Sequence, residues 1–364
     1  MTDKIYNIPA GCAFAEVLAG HFLREYRGRE LELTDVLFLL PNRRAVKALK
    51  DAFVRLQGLA PTLLPQMLPI GDVEEDELFL TGFDQSSALA TLAPAISRAE
   101  RLLLFTKIIM AKPIEYGIEK LAANQACYLA QELANLIDTV HNQGLSFDRL
   151  TDLVPEEYAV HWQETLKFLQ IITEYWPQIL AERQLIDASD RRNRLLRAQI
   201  DLWRQNPPVK RIVAAGTTAA FPLMKELVKT VLSLEKGELY LAGIDKFLED
   251  EAWEKIDETH PQHELKELLD YLTVRREDIP DLQAPENFGR EVLISEVMRP
   301  AATTEKWRDI AGKKIRHEAA DGITLVNCAD MREEALTIAL LLREAVETPE
   351  KTAALVTGDR NLAR

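Results

Sequence analysis

Cysteine is scarce in this chain. Its 364 residues hold three, Cys12, Cys127 and Cys328, far apart and without a C-x-x-C pair. That pattern excludes a disulfide framework and a zinc cage built on paired thiols, and implies three reduced thiols. Long apolar runs are missing as well. No stretch of about 18 uncharged apolar residues occurs, and residues 1–20 contain no basic segment leading to a small-residue cleavage site. The expectation is a soluble, cytoplasmic protein with no membrane contact. Positive charge is in deficit: 44 Lys and Arg face 58 Asp and Glu, a net charge of −14 at pH 7. Phosphate binding is driven by clustered cations that release counterions, so such a chain is no independent high-affinity DNA clamp. Any nucleic-acid contact must be local or shared with a partner.

What is present is apolar material for real cores, 47% of residues, in a chain long enough for two or three domains of roughly 150 residues. Two βα units open the sequence. Residues 4–8 alternate as a strand, Pro9-Ala10-Gly11 breaks the run, and Phe14, Val17, Leu18 and Phe22 recur at helical spacing. Residues 35–40 form a continuous apolar run stopped by Pro41, the pattern of a strand buried on both faces of a parallel sheet. Residues 44–56 then place Val46, Leu49, Phe53 and Leu56 on one helical stripe. An α/β class follows. Residues 62–72, with Pro61, Pro65 and Pro69, read as a loop or short edge strand.

From Pro94 to Asn206 the period becomes 3.6, with helices expected over 98–111, 118–143, 156–184 and 189–203. Beyond Pro207-Pro208 the sheet pattern returns: strand 211–215, turn Gly216-Thr217-Thr218, helix 222–234, strand 238–242. The charged, proline-bearing stretch 247–300 is expected to cross the surface and includes an amphipathic helix over 263–272. Residues 323–327, 332–347 and 353–357 spell strand, helix, strand, and the sequence stops while opening another helix, which suggests a piece of something longer.

The chemistry is defined as much by gaps as by groups. A first strand, glycine turn and helix is where a phosphate loop sits, its backbone N–H groups cradling phosphates while a Lys reaches the terminal ones. Here the turn reads Pro9-Ala10-Gly11-Cys12-Ala13-Phe14-Ala15, with no second glycine and no Lys-Ser/Thr pair. It reads as a topological relic of a nucleotide site. Pro41-Asn42-Arg43-Arg44 sets two guanidiniums near the carboxyl end of a buried strand, where open α/β sheets bind ligands. Arg suits phosphate and base edges; the alternative is a helix start whose arginines pair with nearby acids. Gly216-Thr217-Thr218 can meet a phosphate or simply cap the next helix. His260-Pro261-Gln262-His263 is half a metal site interrupted by proline, and reads as a turn. Arg191, Arg192, Asn193, Arg194 and Arg197 form the densest basic patch, either facing DNA or lying on a solvated helix with i,i+4 ion pairs. Pro280-Asp281 is followed by no Asp/Glu-x-Lys, so a metal-dependent nuclease centre is not assigned.

Taken together, the segments 8–14, 39–46, 64–72 and 214–218 resemble the amino-terminal part of AddB, the DNA double-strand break repair subunit of AddAB helicase-nucleases, in the form found in alphaproteobacteria. Residues 359–364 fit the same family, and the similarity runs along the whole chain. Pro41-Asn42-Arg43-Arg44 and Pro69-Ile70-Gly71-Asp72 are its most specific parts. The resemblance implies an α/β, RecA-like (P-loop NTPase-like) parallel sheet domain of superfamily 1 helicase type with an inserted all-helical domain. Residues 1–93 and 207–300 would be an inactivated helicase domain, 94–206 the insert, and 301–364 the start of a second RecA-like domain. It implies no catalytic centre, cofactor or metal in this segment, with an iron–sulfur cluster and Mg expected only in a nuclease domain beyond Arg364. Partners would be AddA, which supplies ATP hydrolysis, and single-stranded DNA.

Relatives that recognise the recombination hotspot Chi touch the strand with loops matching residues 42–45 and 66–72 here, although the residue types differ. The DNA contacts this implies are Asn42, Arg43, Arg44, Gln66 and Asp72, with Thr217 and Thr218 added from the second glycine turn. Two alternatives stand beside it: a P-loop-like enzyme with an atypical phosphate site at Gly216-Thr217-Thr218, and a protein-interaction scaffold whose acidic surface meets a basic partner.

Overall fold

A computed structural model describes residues 2–58, 63–70, 92–111, 121–147, 168–310 and 317–363. The chain divides into two compact units, residues 1–315 and 316–364.

The apolar runs of the first unit pair into one five-stranded sheet. Its strands are β1 (Ile5–Ile8), β2 (Val36–Leu40), β3 (Gln66–Pro69), β4 (Arg211–Ala215) and β5 (Gly237–Ala242), in the order β1-β5-β4-β2-β3. All four pairings are parallel. Every residue of β2 is buried, and successive side chains enter different cores. Leu37 and Leu39 join one cluster, Phe38 and Leu40 the other. This two-sided burial is why the run is continuously apolar rather than alternating. The short β3 lies at the edge, where Pro69 leaves no ladder hydrogen bond unmade.

Helices α1 (Phe14–Glu25) and α2 (Arg43–Gln57) cover one face, packing Leu18, Phe22, Leu49 and Phe53 against Phe38 and Tyr240. The other face is covered by the end of the helical region and by helices that follow it. α3 (Arg98–Ala111), α4 (Ala123–Asn142) and α5 (Trp176–Arg183) share a separate core around Phe105, Ala130, Ile137 and Trp176. α6 (Ala188–Gln205) joins that region to the sheet, sending Ile200 and Trp203 into the sheet core. There they meet Leu227 and Val231 of α7 (Pro222–Ser233) and Leu268 of α8 (His263–Leu272).

The stretch 247–300 does more than cross the surface. Asn7 N–H donates to Pro280 O (2.9 Å) and Leu282 N–H donates to Asn7 O (2.7 Å), so residues 280–282 lie parallel beside β1. The stretch then forms α9 (Phe288–Val297). Residues 301–306 also belong to the first unit, with Thr303 buried and Lys306 paired to Glu249 and Glu251 at 2.8 and 2.7 Å.

In the second unit the expected helix is present as α10 (Met331–Glu347), capped by the Asp330 side chain, which accepts from Glu333 N–H. The strands expected at 323–327 and 353–357 are not formed. Their apolar residues are there, but a strand exists only with a neighbour to take its N–H and C=O groups. None is supplied among the described residues of this unit, and Leu325 and Val356 stand 84% and 93% exposed.

Candidate functional site

The strand register brings three turns to the carboxyl edge of the sheet. Leu39 of β2 lies opposite Ala214 of β4, so the turns beginning at Pro41 and Gly216 are neighbours. Ala215 of β4 lies opposite Tyr240 of β5, and Ile8 of β1 opposite Ala242, which adds the turn beginning at Pro9. Connections leave β2 and β4 in opposite directions, the topological switch point at which open α/β sheets hold ligands.

The turn after β1 is closed. Cys12 N–H bonds back to Pro9 O at 3.0 Å, and the Gly11 N–H, free in a phosphate loop to meet an anion, donates to the Glu291 carboxylate of α9 at 2.8 Å. Cys12 is buried under residues 283–284: Gln283 Nε2 donates to its sulfur at 3.1 Å, and the sulfur lies 3.8 Å from Ala284 O. Beneath the turn, Asn7 is a buried polar side chain with both its functions used. Its Nδ2 donates to Asp281 at 2.6 Å and its Oδ1 accepts from Ile244 N–H at 2.9 Å. Lys246 completes the cluster, donating to Asp281 at 2.7 Å and to Ile279 O at 2.6 Å.

The turn after β4 is closed by similar means. Gly216 has φ +65°, a conformation that favours glycine, and a Cβ there would stand 3.3 Å from the Phe14 ring, so Phe14 already fills the space between the first and third turns. Thr217 is buried and accepts from Ala219 N–H at 3.1 Å. The Thr218 hydroxyl donates to Glu264 in the first turn of α8. Next to it Lys225 bonds Glu267 at 2.8 Å and holds that carboxyl below its usual range. A phosphate here would face fixed negative charge, which disfavours it.

The turn after β2 is different. Asn42 caps α2, its Oδ1 accepting from Ala45 N–H at 2.9 Å. Residues 41–50 contain four cations, Arg43, Arg44, Lys47 and Lys50, and no acid. All four are exposed, and Arg43, Lys47 and Lys50 follow one another at i, i+4 and i+7, on a stripe beside the one that buries Leu49 and Phe53. Arg44, Lys47 and Lys50 form no ion pair with the described residues. A cation in the first turn opposes the helix macrodipole, at about 0.3–1 kcal/mol at low salt, so helix stability does not explain Arg44.

Thus the structure brings Asn42, Arg43 and Arg44 together with Thr217 and Thr218. Gln66 is not part of that group. It opens β3 opposite Leu37, at the amino edge of the sheet, with its Nε2 3.4 Å from Thr34 O. Asp72 lies outside the described residues. Lys47 and Lys50 were legible as a continuation of the Arg43 stripe; Glu291 and Glu264 had no local signal.

The remaining basic and histidine motifs resolve into structure. Arg191 donates to the carbonyls of Leu92 and Ala93 at 3.2 and 2.7 Å, Arg192 to Asn142, and Arg194 pairs with Asp190 at i,i+4. His260 donates from Nε2 to Met298 O at 2.7 Å, while His263 faces Glu267 at 3.7 Å. Among the described residues no group of three potential metal ligands converges.

The amino edge of the sheet carries a cleft of about 690 Å³ that includes Asp35, Pro207, Lys210 and Lys236, across the sheet from the three turns. Its charges are mixed, and Lys210 is paired with Asp35 at 3.1 Å. We therefore place the candidate site at the carboxyl edge, where exposed charge of one sign accumulates. No described helix is long and apolar enough to cross a membrane. The chain matches no family model and no curated protein.

Proposed function

We propose that the first unit is a RecA-like domain of an AddB-type subunit, which contacts single-stranded DNA through the turn after β2 and the exposed face of α2 and uses no nucleotide of its own. One observation carries this reading: a molecule of net charge −14 places four cations and no acid over residues 41–50. The ridge from Arg43 to Lys50 spans roughly 10 Å at 1.5 Å per residue, long enough to meet more than one phosphate of a strand. The adjoining turns after β1 and β4 are met by Glu291 and Glu264, chemistry that repels triphosphate and leaves ATP hydrolysis to AddA.

Fluorescence anisotropy with a labelled oligothymidylate over a salt series tests the reading. Affinity should fall with salt, and Arg43→Ala with Arg44→Ala should weaken binding and shrink the log–log slope by about 1.4, two contacts at roughly 0.7 each. An unchanged slope and affinity would remove the ridge from the interface. Complete absence of binding by the wild-type chain, alone and with AddA, would favour the scaffold reading instead.

A further inference from the structure

Three contacts from one segment converge on the turn after β1. Residues 280–282 pair with Asn7 along the strand, Gln283 and Ala284 cover Cys12, and Glu291 takes the Gly11 N–H. A Cβ on Gly11 would stand 3.2 Å from the same Glu291 oxygen, so the carboxylate sits in contact with the turn itself. Each contact reaches back some 270 to 280 residues in sequence, from an otherwise surface-exposed stretch.

We propose that residues 280–291 form an internal strap that holds this turn shut, with the Glu291 carboxylate standing in for the anionic oxygen of a ligand at Gly11. The inference is independent of any DNA contact by α2. An anion in solution must displace a carboxylate already tethered to the site, whose effective concentration is of millimolar order. Ordinary phosphate esters at lower concentration therefore leave the strap in place. When the strap lifts, two things change together: the Gly11 N–H is freed and Cys12 loses its cover. The buried thiol is thus a built-in reporter of strap opening.

The test is iodoacetamide alkylation of Cys12 in the purified full chain, followed by mass spectrometry of the Cys12 peptide. Glu291→Ala should raise the alkylation rate about tenfold, the size expected when one charged hydrogen bond holding a local closure is lost. Glu291→Gln, which keeps an acceptor but not the charge, should fall between, and it serves alone if the alanine variant does not fold. Glu286→Ala, an exposed acid of the same segment, should match wild type. Pyrophosphate at 0.1 mM, below the effective concentration of the tethered carboxylate and against salt of equal ionic strength, should slow alkylation of Glu291→Ala and leave wild type unchanged. Wild-type rates in both Glu291 variants would overturn the strap. Faster alkylation that pyrophosphate does not slow would overturn the carboxylate's role as a stand-in anion.

Discussion

The turns after β1 and β2 are built alike and furnished oppositely. Each follows a buried parallel strand, starts a helix and lies at the carboxyl edge of the same sheet. In the first, the N–H of Gly11, two residues before the N-cap Ala13, is met by an internal carboxylate, Glu291, and Phe14 fills the space toward Gly216. In the second, the N–H demand is met by a neutral cap, Asn42, and cations are stacked where a helix start prefers acids. The difference teaches that a helix N-terminus is not by itself an anion site. What decides is which group the rest of the chain brings to it.

The comparison breaks most visibly at Arg43 and Arg44. Replacing both with alanine should reduce oligothymidylate affinity by tenfold or more at low salt, roughly the sum of two lost phosphate contacts; a titration in 50 mM salt checks it. Next in size is the cap. Asn42→Ala should destabilise the chain by about 1 kcal/mol in urea unfolding while leaving the salt slope of DNA binding unchanged. Weaker binding at that same slope would mean that Asn42 touches the strand, because a neutral amide releases no counterion. Smallest is the reversal at Arg44. Arg44→Glu should stabilise by about 0.3–1 kcal/mol, because an acid now meets the positive end of the dipole, and it should weaken DNA binding at the same time. Stabilisation with binding intact would make the ridge an ordinary solvated face.

Much of this architecture could be read from the residues alone, for a physical reason. Strand β2 announces itself because both its faces are buried, and α2 because Leu49 and Phe53 repeat at helical spacing. The missing Lys in the first turn was equally plain. The strap was not, since Gly11 and Glu291 meet only through tertiary packing and a glutamate in a charged stretch looks like solvated surface. The apolar segments at 323–327 and 353–357 failed in the other direction. Local pattern marks a segment as able to pair, while pairing itself requires a neighbour that the second unit does not supply among its described residues. The place of Gln66 was a matter of register: Pro69 and Ile70, not Gln66, reach the carboxyl end of β3.

Hydrogen exchange read peptide by peptide, with the chain alone, with oligothymidylate and with ATP, addresses the contrast between the two turns directly. The account predicts that oligothymidylate protects residues 42–50 and that ATP leaves residues 9–15 unchanged. Protection of residues 9–15 by ATP, with residues 42–50 indifferent to oligothymidylate, would contradict it.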